Sequence, residues 1–311
     1  FVRGEIVFNN SELDDLIILR SNNSPTYHLC NVVDDYEQNV TTVIRGEDHI
    51  SNTPRQIHIQ KALGYPELEY AHLPLVLGPD KKRLSKRHAA TSLEEYKDKG
   101  YLDSAILNTL ARLGWSKGDE EVFYLEDLIE NFNINEIQKA GAVFDITKLD
   151  WLNSQHLANL SLKEFKACLE PFLSKINIDI EKHQNVDMLL NAMRSSENTL
   201  SGIAKSLIPY YTEDIPYDNK AIEKFLSDNH EILEDLEDLF NDLDDWNENS
   251  LDTVLKKYQK DNDLPVPKVN QPIRIALTGS TKSPSLGLTL EIFGKKSSLD
   301  RINSLKKKLA S

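Results

Sequence analysis

Between Asp80 and His88 the chain reads Asp-Lys-Lys-Arg-Leu-Ser-Lys-Arg-His, with five cations inside seven residues and Ser85 directly before Lys86. Each ammonium or guanidinium repels the next and resists burial, so a packed helix or strand does not carry that density of like charge. Gly78-Pro79-Asp80 marks a turn just ahead, and the run is therefore read as a loop that faces water or a polyanion. Paired lysines beside a hydroxyl suit a triphosphate whose charge shifts during reaction. Taken alone, the run is equally well a solvated basic loop, and a basic targeting tract is a further reading.

A second candidate lies upstream. Val43-Ile44-Arg45-Gly46-Glu47-Asp48-His49 places an arginine at the end of a short apolar segment. A guanidinium there can hold a carboxylate in a bidentate pair, or it can be consumed in an internal ion pair with Glu47 or Asp48. Tyr27 is either a ligand contact or a half-buried core ring. Asp34-Asp35 could be a metal pair, and equally an element terminus or a turn. Near the other end, Arg274 precedes the turn-like Ser283-Pro284-Ser285-Leu286. Without further context this segment reads as a core turn with a surface arginine.

Residues 24–35, then Val43 to Gln56, and the run Lys82-Arg83-Leu84-Ser85-Lys86-Arg87 stand in an order that closely resembles the second half of the catalytic domain of glutamyl-tRNA synthetases, which are class I aminoacyl-tRNA synthetases. The basic run is similar to that family's second ATP signature, usually Lys-Met-Ser-Lys-Ser. Arg83 stands where the first lysine is usual, a planar fork in place of a point charge. The family's first ATP signature, of His-x-Gly type, is missing: none of the eight histidines is followed two residues later by glycine. The chain opens at Phe1 without an initiator Met and is expected to be a fragment without full activity alone.

The resemblance implies activation of L-glutamate by ATP to glutamyl-adenylate, then transfer to the terminal ribose of tRNA(Glu). It implies Lys86, Ser85 and Arg83 as catalytic residues, with Arg87 joining them in ATP binding. Tyr27, Asn31, Arg45 and Asp48 would form the amino-acid pocket, and Arg274, Ser283, Pro284 and Leu286 would meet anticodon bases. Mg²⁺ would arrive with ATP, and no protein-bound metal is indicated. The complete enzyme would be a cytoplasmic monomer. Two alternatives stay open: a non-catalytic tRNA-binding half-protein, and a non-discriminating enzyme that also charges tRNA(Gln). The second arises because the family often carries an arginine three residues before a Thr-Leu pair. Before Thr199-Leu200 that place holds Ser196, and Arg194 is the nearest cation.

At 311 residues there is room for two or three domains, and no apolar run approaches the length of a membrane-spanning helix. Cys30 and Cys168 are far apart and show no metal-ligand spacing, which fits a reducing compartment. The net charge of −14 hides an asymmetry. Residues 231–248 carry nine acidic residues and no basic one, whereas 295–308 carry six basic residues against Asp300. The first stretch, with Ile232, Leu233, Leu236, Leu239 and Phe240 at helical spacing, reads as a helix with a solvated acidic face. The second would meet a phosphate backbone or be merely solvated.

The positioning elements follow from periodicity. Strands are expected at residues 5–8, 16–19 and 43–44. Helices are expected at 53–63 ending at Gly64, at 92–95 onward behind a capping box, and at 101–113 closing at Gly114. Further helices fall near 125–132, 147–156, 161–173 and 186–193. After the basic loop the strands are expected to stop. The fold class is thus an α/β Rossmann-type remnant with a parallel sheet (1–78), then an all-α stem-contact region that includes the signature loop (79–160), then a helical anticodon-binding domain (161–311).

Overall fold

The computed structural model describes residues 2–85, 92–227 and 230–310. In chain order they form α1 (Tyr27–Glu37), β1 (Thr42–Gly46), α2 (Thr53–Leu63), β2 (Glu69–Leu73), β3 (Val76–Leu77), α3 (Leu93–Lys99), α4 (Asp103–Ala111), α5 (Leu125–Asn131), β4 (Ala142–Val143) and α6 (Ile146–Asn159). Helices α7 (Leu162–Lys175), α8 (Val186–Met193), α9 (Leu200–Tyr211), α10 (Asn219–Leu226) and α11 (Ile232–Asn241) follow. The last are α12 (Glu248–Asp261), α13 (Val266–Thr278), α14 (Leu286–Phe293) and α15 (Lys295–Leu309). The chain divides into two compact units, Phe1–Leu93 with Asp103–Leu152, and Glu94–Leu102 with Asn153–Ser311. No helix of the described residues is long and apolar enough to cross a membrane.

The first unit is organised by β1, α2 and β2. The two strands pair in parallel, with Arg45 opposite His72, and α2 is the crossover that parallel pairing requires. Pro54 sits in the first turn of α2, where its missing N–H costs nothing, and Gly64 ends the helix at φ +73. Val32 of α1 and Ala71 of β2 are buried. A second parallel pair, β3 with β4, sets Val76 opposite Ala142. Strand structure therefore continues past the basic loop, contrary to expectation. Trp115, Phe123 and Leu128 make a small aromatic core. Buried Asn108 ties it together by accepting from the Phe123 N–H at 2.9 Å and donating to the Glu121 carbonyl at 3.1 Å.

Two expected strands are absent. Residues 5–8 and 16–19 form no strand among the described residues, apart from one bridge between Leu19 and Pro25. Val7 is 83% and Ile17 71% exposed. An apolar run becomes a strand only when a neighbouring strand supplies its ladder, and here none does.

In the second unit α7, α8 and α9 pack together. They bury Phe165, Leu169, Leu173, Leu189, Leu190, Ile203 and Leu207. The Ser161–Glu164 capping box opens α7 one residue later than expected. Helices α10 to α15 enclose a further core around Leu236, Phe240, Leu255, Ile273, Leu277, Leu290 and Ile302. Ile232, Leu233, Leu236 and Phe240 of α11 turn inward as their spacing predicts, while Leu239 lies outside that stripe and is 40% exposed. Helix α13 starts at Val266 with Pro265 as its cap and Pro267 in the first turn, where a helix accepts proline.

Gly279 ends α13 at φ +71, and a Cβ there would lie 2.2 Å from the Pro216 carbonyl oxygen. The Asp218 N–H donates to the Gly279 carbonyl at 2.8 Å. Gly279→Ala is expected to destabilise the protein by at least ~1–2 kcal/mol from the left-handed backbone alone. The clash adds to that. Urea unfolding should show a lower midpoint with an unchanged slope.

Candidate functional site

Arg45 comes off the end of β1 beside His72, its cross-strand neighbour. Its Nε–H donates to His72 Nε2 at 3.3 Å, and Nη2 donates to Thr53 Oγ1 at 2.8 Å and to the His49 carbonyl at 3.4 Å. The guanidinium also lies 5.6 Å from the centre of the Tyr70 ring. All these partners are neutral. The carboxylates suggested as internal partners are engaged elsewhere: Asp48 pairs with Arg83 at 3.0 Å, and Glu47 pairs with Arg3 and accepts from the Leu75 N–H at 3.2 Å. Among the described residues Arg45 has no ion pair, and its Nη1 donors are open.

Helix α1 faces this charge. Tyr27 is its first residue, 49% exposed, with its ring 6.4 Å from that of His49. Asn31 and Asp35 follow at four-residue steps, on the same helix face. Burial raises the Asp35 carboxyl above the usual carboxylate range, with Arg45 pulling the other way. Burial, then Arg55, then Arg45, lowers the His28 imidazole below its ordinary value. Both effects place the Arg45 charge within reach of this face. Asp34 and Asp35 sit side by side in the last turn of α1, at the element terminus, and adjacent positions point their side chains apart around the helix.

The signature loop begins as a hairpin. The Leu84 N–H donates to the Val76 carbonyl and the Gly78 N–H to the Lys82 carbonyl, both at 2.8 Å, around a turn where Lys81 has φ +60. Arg83 is largely exposed and reaches back to Asp48. Gly46 makes room for that contact, since a Cβ there would lie 2.5 Å from Asp48 Oδ1. Ser85 is exposed. Lys86 and Arg87 lie outside the described residues.

In the second unit Arg274 Nε–H donates to Ser283 Oγ at 2.7 Å, and Nη2 donates to the Pro284 carbonyl at 3.2 Å. The buried Thr289 hydroxyl lies 3.1 Å from Ser283 Oγ. Burial lowers the Arg274 pKa. Arg274, Ser283 and Pro284 thus form one bonded cluster. Leu286 is not beside them on the surface: it is 3% exposed and belongs to the core. A pocket of about 300 Å³ opens next to Ser283, between Glu197, Tyr210 and Lys282.

Arg194 is engaged by local structure through one end of its guanidinium, while its Nε is buried without a hydrogen-bond partner among the described residues. Nη1 donates to the Ala158 and Leu160 carbonyls at 3.3 and 2.8 Å, and the guanidinium lies over Phe165. Ser196 donates to the Met193 carbonyl, and Thr199 caps α9. The basic C-terminal run is similarly committed. Lys295 donates to the Asn241 and Leu243 carbonyls, and Lys306 pairs with Glu234 and Glu237 of α11. Arg301 donates to the carbonyls of Leu277, Pro209 and Thr212. The acidic face of α11 is therefore partly a docking face for α15, not wholly solvated. Lys296 and Lys307 remain exposed.

Residues 1–151 match the family described as tRNA synthetases class I (E and Q), catalytic domain, and residues 164–306 match the anticodon binding domain family. The glutamate–tRNA ligase of Francisella philomiragia is 38% identical over 316 residues, covering 100% of this chain and 67% of that protein. This chain belongs to the class I glutamyl-tRNA synthetase family. Glutamate–tRNA ligase 2 of Halorhodospira halophila is 41% identical over 302 residues, covering 97% of this chain and 64% of that protein. The crystal structure of a glutamate tRNA ligase from Elizabethkingia meningosepticum in complex with its amino acid superposes with a TM-score of 0.80 at 27% identity, over 99% of this chain and 65% of that one. The chain spans about two thirds of the length of these synthetases.

Sequence reasoning singled out Arg45 but not the residues that hold it. His72 lies outside the motif that contains Arg45, and Thr53 lies inside it without any sign of this contact; the strand register and the start of α2 bring the three together. Of the C-terminal cations, Arg301→Gln should cost about 1–3 kcal/mol by leaving the partly buried Leu277 and Pro209 carbonyls without this donor. Lys307→Gln should stay within about 0.5 kcal/mol. Denaturant midpoints of the two variants check the contrast.

Proposed function

We propose that this chain supplies the glutamate pocket, the second ATP signature and the anticodon-binding domain of a glutamate–tRNA ligase. The observation that carries the reading is Arg45: a guanidinium held by neutral groups, with no ion pair among the described residues, its charge felt by Asp35 and His28 of α1. Such a charge is complementary to the side-chain carboxylate of glutamate. Glutamine brings no charge to answer it and is disfavoured.

In this reading residues 1–78 complete the nucleotide-binding domain, 79–160 carry the signature loop and meet the acceptor stem, and 161–311 bind the anticodon. The α-carboxylate of glutamate attacks the α-phosphorus of ATP, and the bond to pyrophosphate breaks. Lys86, with Ser85 and Arg83, answers the charge on the departing pyrophosphate. Mg²⁺ comes as part of the ATP substrate. A hydroxyl of the terminal ribose of tRNA(Glu) then displaces AMP. Asp48, paired with Arg83 at 3.0 Å, holds the loop root close to the amino-acid pocket. That exposed pair is worth at most about 1 kcal/mol, so a triphosphate can draw Arg83 away. Arg274, Ser283 and Pro284 face the anticodon, with Leu286 anchoring their loop from beneath. The enzyme works as a cytoplasmic monomer.

A second reading, charging of both tRNA(Glu) and tRNA(Gln), is favoured by one observation. At the place before Thr199-Leu200 where the family often has an arginine stands Ser196, bonded locally, and Arg194 is occupied by two carbonyls. Charging assays on both tRNAs separate the readings.

Two variants of the full-length protein test the main proposal by glutamate-dependent ATP–pyrophosphate exchange. Arg45→Ala should raise the KM for glutamate about 30- to 1000-fold, the equivalent of ~2–4 kcal/mol. Lys86→Ala should lower the exchange rate about 100- to 1000-fold. Near-normal kinetics in both would remove the proposal.

A further inference from the structure

We propose that His72 is a positioning residue for glutamate recognition, a neutral hydrogen-bond acceptor that fixes the plane of the Arg45 guanidinium. The inference rests on the reading of Arg45 as the glutamate-binding group and deepens it. Strand register makes Arg45 and His72 direct partners. His72 is 6% exposed, and its Nε2 lies 3.3 Å from Arg45 Nε and 3.1 Å from Thr53 Oγ1.

The chemistry of the contact leaves one protonation state. Arginine only donates, so Nε2 must accept, and the imidazole is the neutral tautomer with its proton on Nδ1. Thr53 Oγ1 accepts from Arg45 Nη2 at 2.8 Å and has its own hydrogen to donate to His72 Nε2 or to the His49 carbonyl. His72, Thr53 and the His49 carbonyl together hold the Nε and Nη2 edge, and this orients Nη1 outward. A guanidinium with one edge fixed loses little freedom when a carboxylate arrives, and that is worth affinity without any new contact.

The surroundings keep the ring neutral. Arg45 faces it from β1, His49 from the turn after β1, Arg3 from the N-terminal segment and Thr53 from α2, with the Tyr70 ring parallel to it on β2 itself. Burial first, and the Arg45 charge next, lower its pKa below the ordinary histidine value. Protonating His72 would set a second cation against Arg45 Nε, break the 3.3 Å bond and release the guanidinium. Glutamate affinity should therefore be lost only as pH falls through the lowered His72 pKa, below the range where an ordinary histidine titrates.

The test is steady-state ATP–pyrophosphate exchange in the full-length protein, with KM for glutamate and KM for ATP determined separately. His72→Leu should raise the glutamate KM about 10-fold or more, with the ATP KM unchanged within about 2-fold. His72→Gln can place its amide oxygen near the Nε2 position and should restore most of the affinity. It should also flatten the rise of glutamate KM at acid pH that the unaltered protein shows. The inference is overturned if His72→Leu leaves the glutamate KM unchanged, raises both KM values alike, or is not improved upon by His72→Gln. Arg45→Ala in parallel separates two failures. An unchanged glutamate KM there removes the reading of Arg45 itself. A raised one, beside a normal His72→Leu, overturns only the role of His72.

Discussion

Strands β1 and β2 run in parallel with Arg45 opposite His72, and the chemistry of the first unit depends on that register. A slip of one residue would turn both side chains to the other face of the sheet. Held as it is, the pair places a full positive charge at the carboxyl end of a strand, where open α/β sheets bind their ligands. The charge is partnered by an imidazole, a hydroxyl and a carbonyl. Neutral acceptors satisfy geometry without cancelling charge, and a carboxylate in the same place would have done both.

The second unit handles charge differently. Its acidic and basic runs are far apart in sequence, yet α11 and α15 pack together, and Lys306 meets Glu234 and Glu237. Arg301 and Lys295 turn inward to carbonyl groups that helix ends leave without partners. A strongly charged sequence thus becomes a surface with fewer free cations than its composition suggests.

What could be read in advance follows from the range of each signal. Gly64 after an apolar periodic run, Ser161 three residues before Glu164, and the stripe of α8 are local signals, and the elements they mark are present with little change. Arg45 was legible because a guanidinium at the end of an apolar strand is chemically unusual wherever it is met. His72 and Thr53 were not, because their relation to Arg45 exists only across a strand pair and a helix start. The apolar runs at 5–8 and 16–19 misled for the converse reason. Their composition is that of strands, but pairing is a property of two segments, and among the described residues no partner lies beside them. The fate of Leu286 was hidden similarly: its position in the motif suggested a surface contact, while the packing of α14 places it in the core.

Gly46 shows how such dependence spreads. Its missing Cβ leaves the space that Asp48 Oδ1 approaches, and Asp48 in turn holds Arg83. A side chain at 46 would make the carboxylate shift, and its pairing with Arg83 would weaken while the backbone bonds of the hairpin stayed in place. Positions 46 and 83 are therefore epistatic: once residue 46 has grown a side chain, the identity of residue 83 matters less. Two residues that never touch would drift together over evolutionary time, linked through the carboxylate between them.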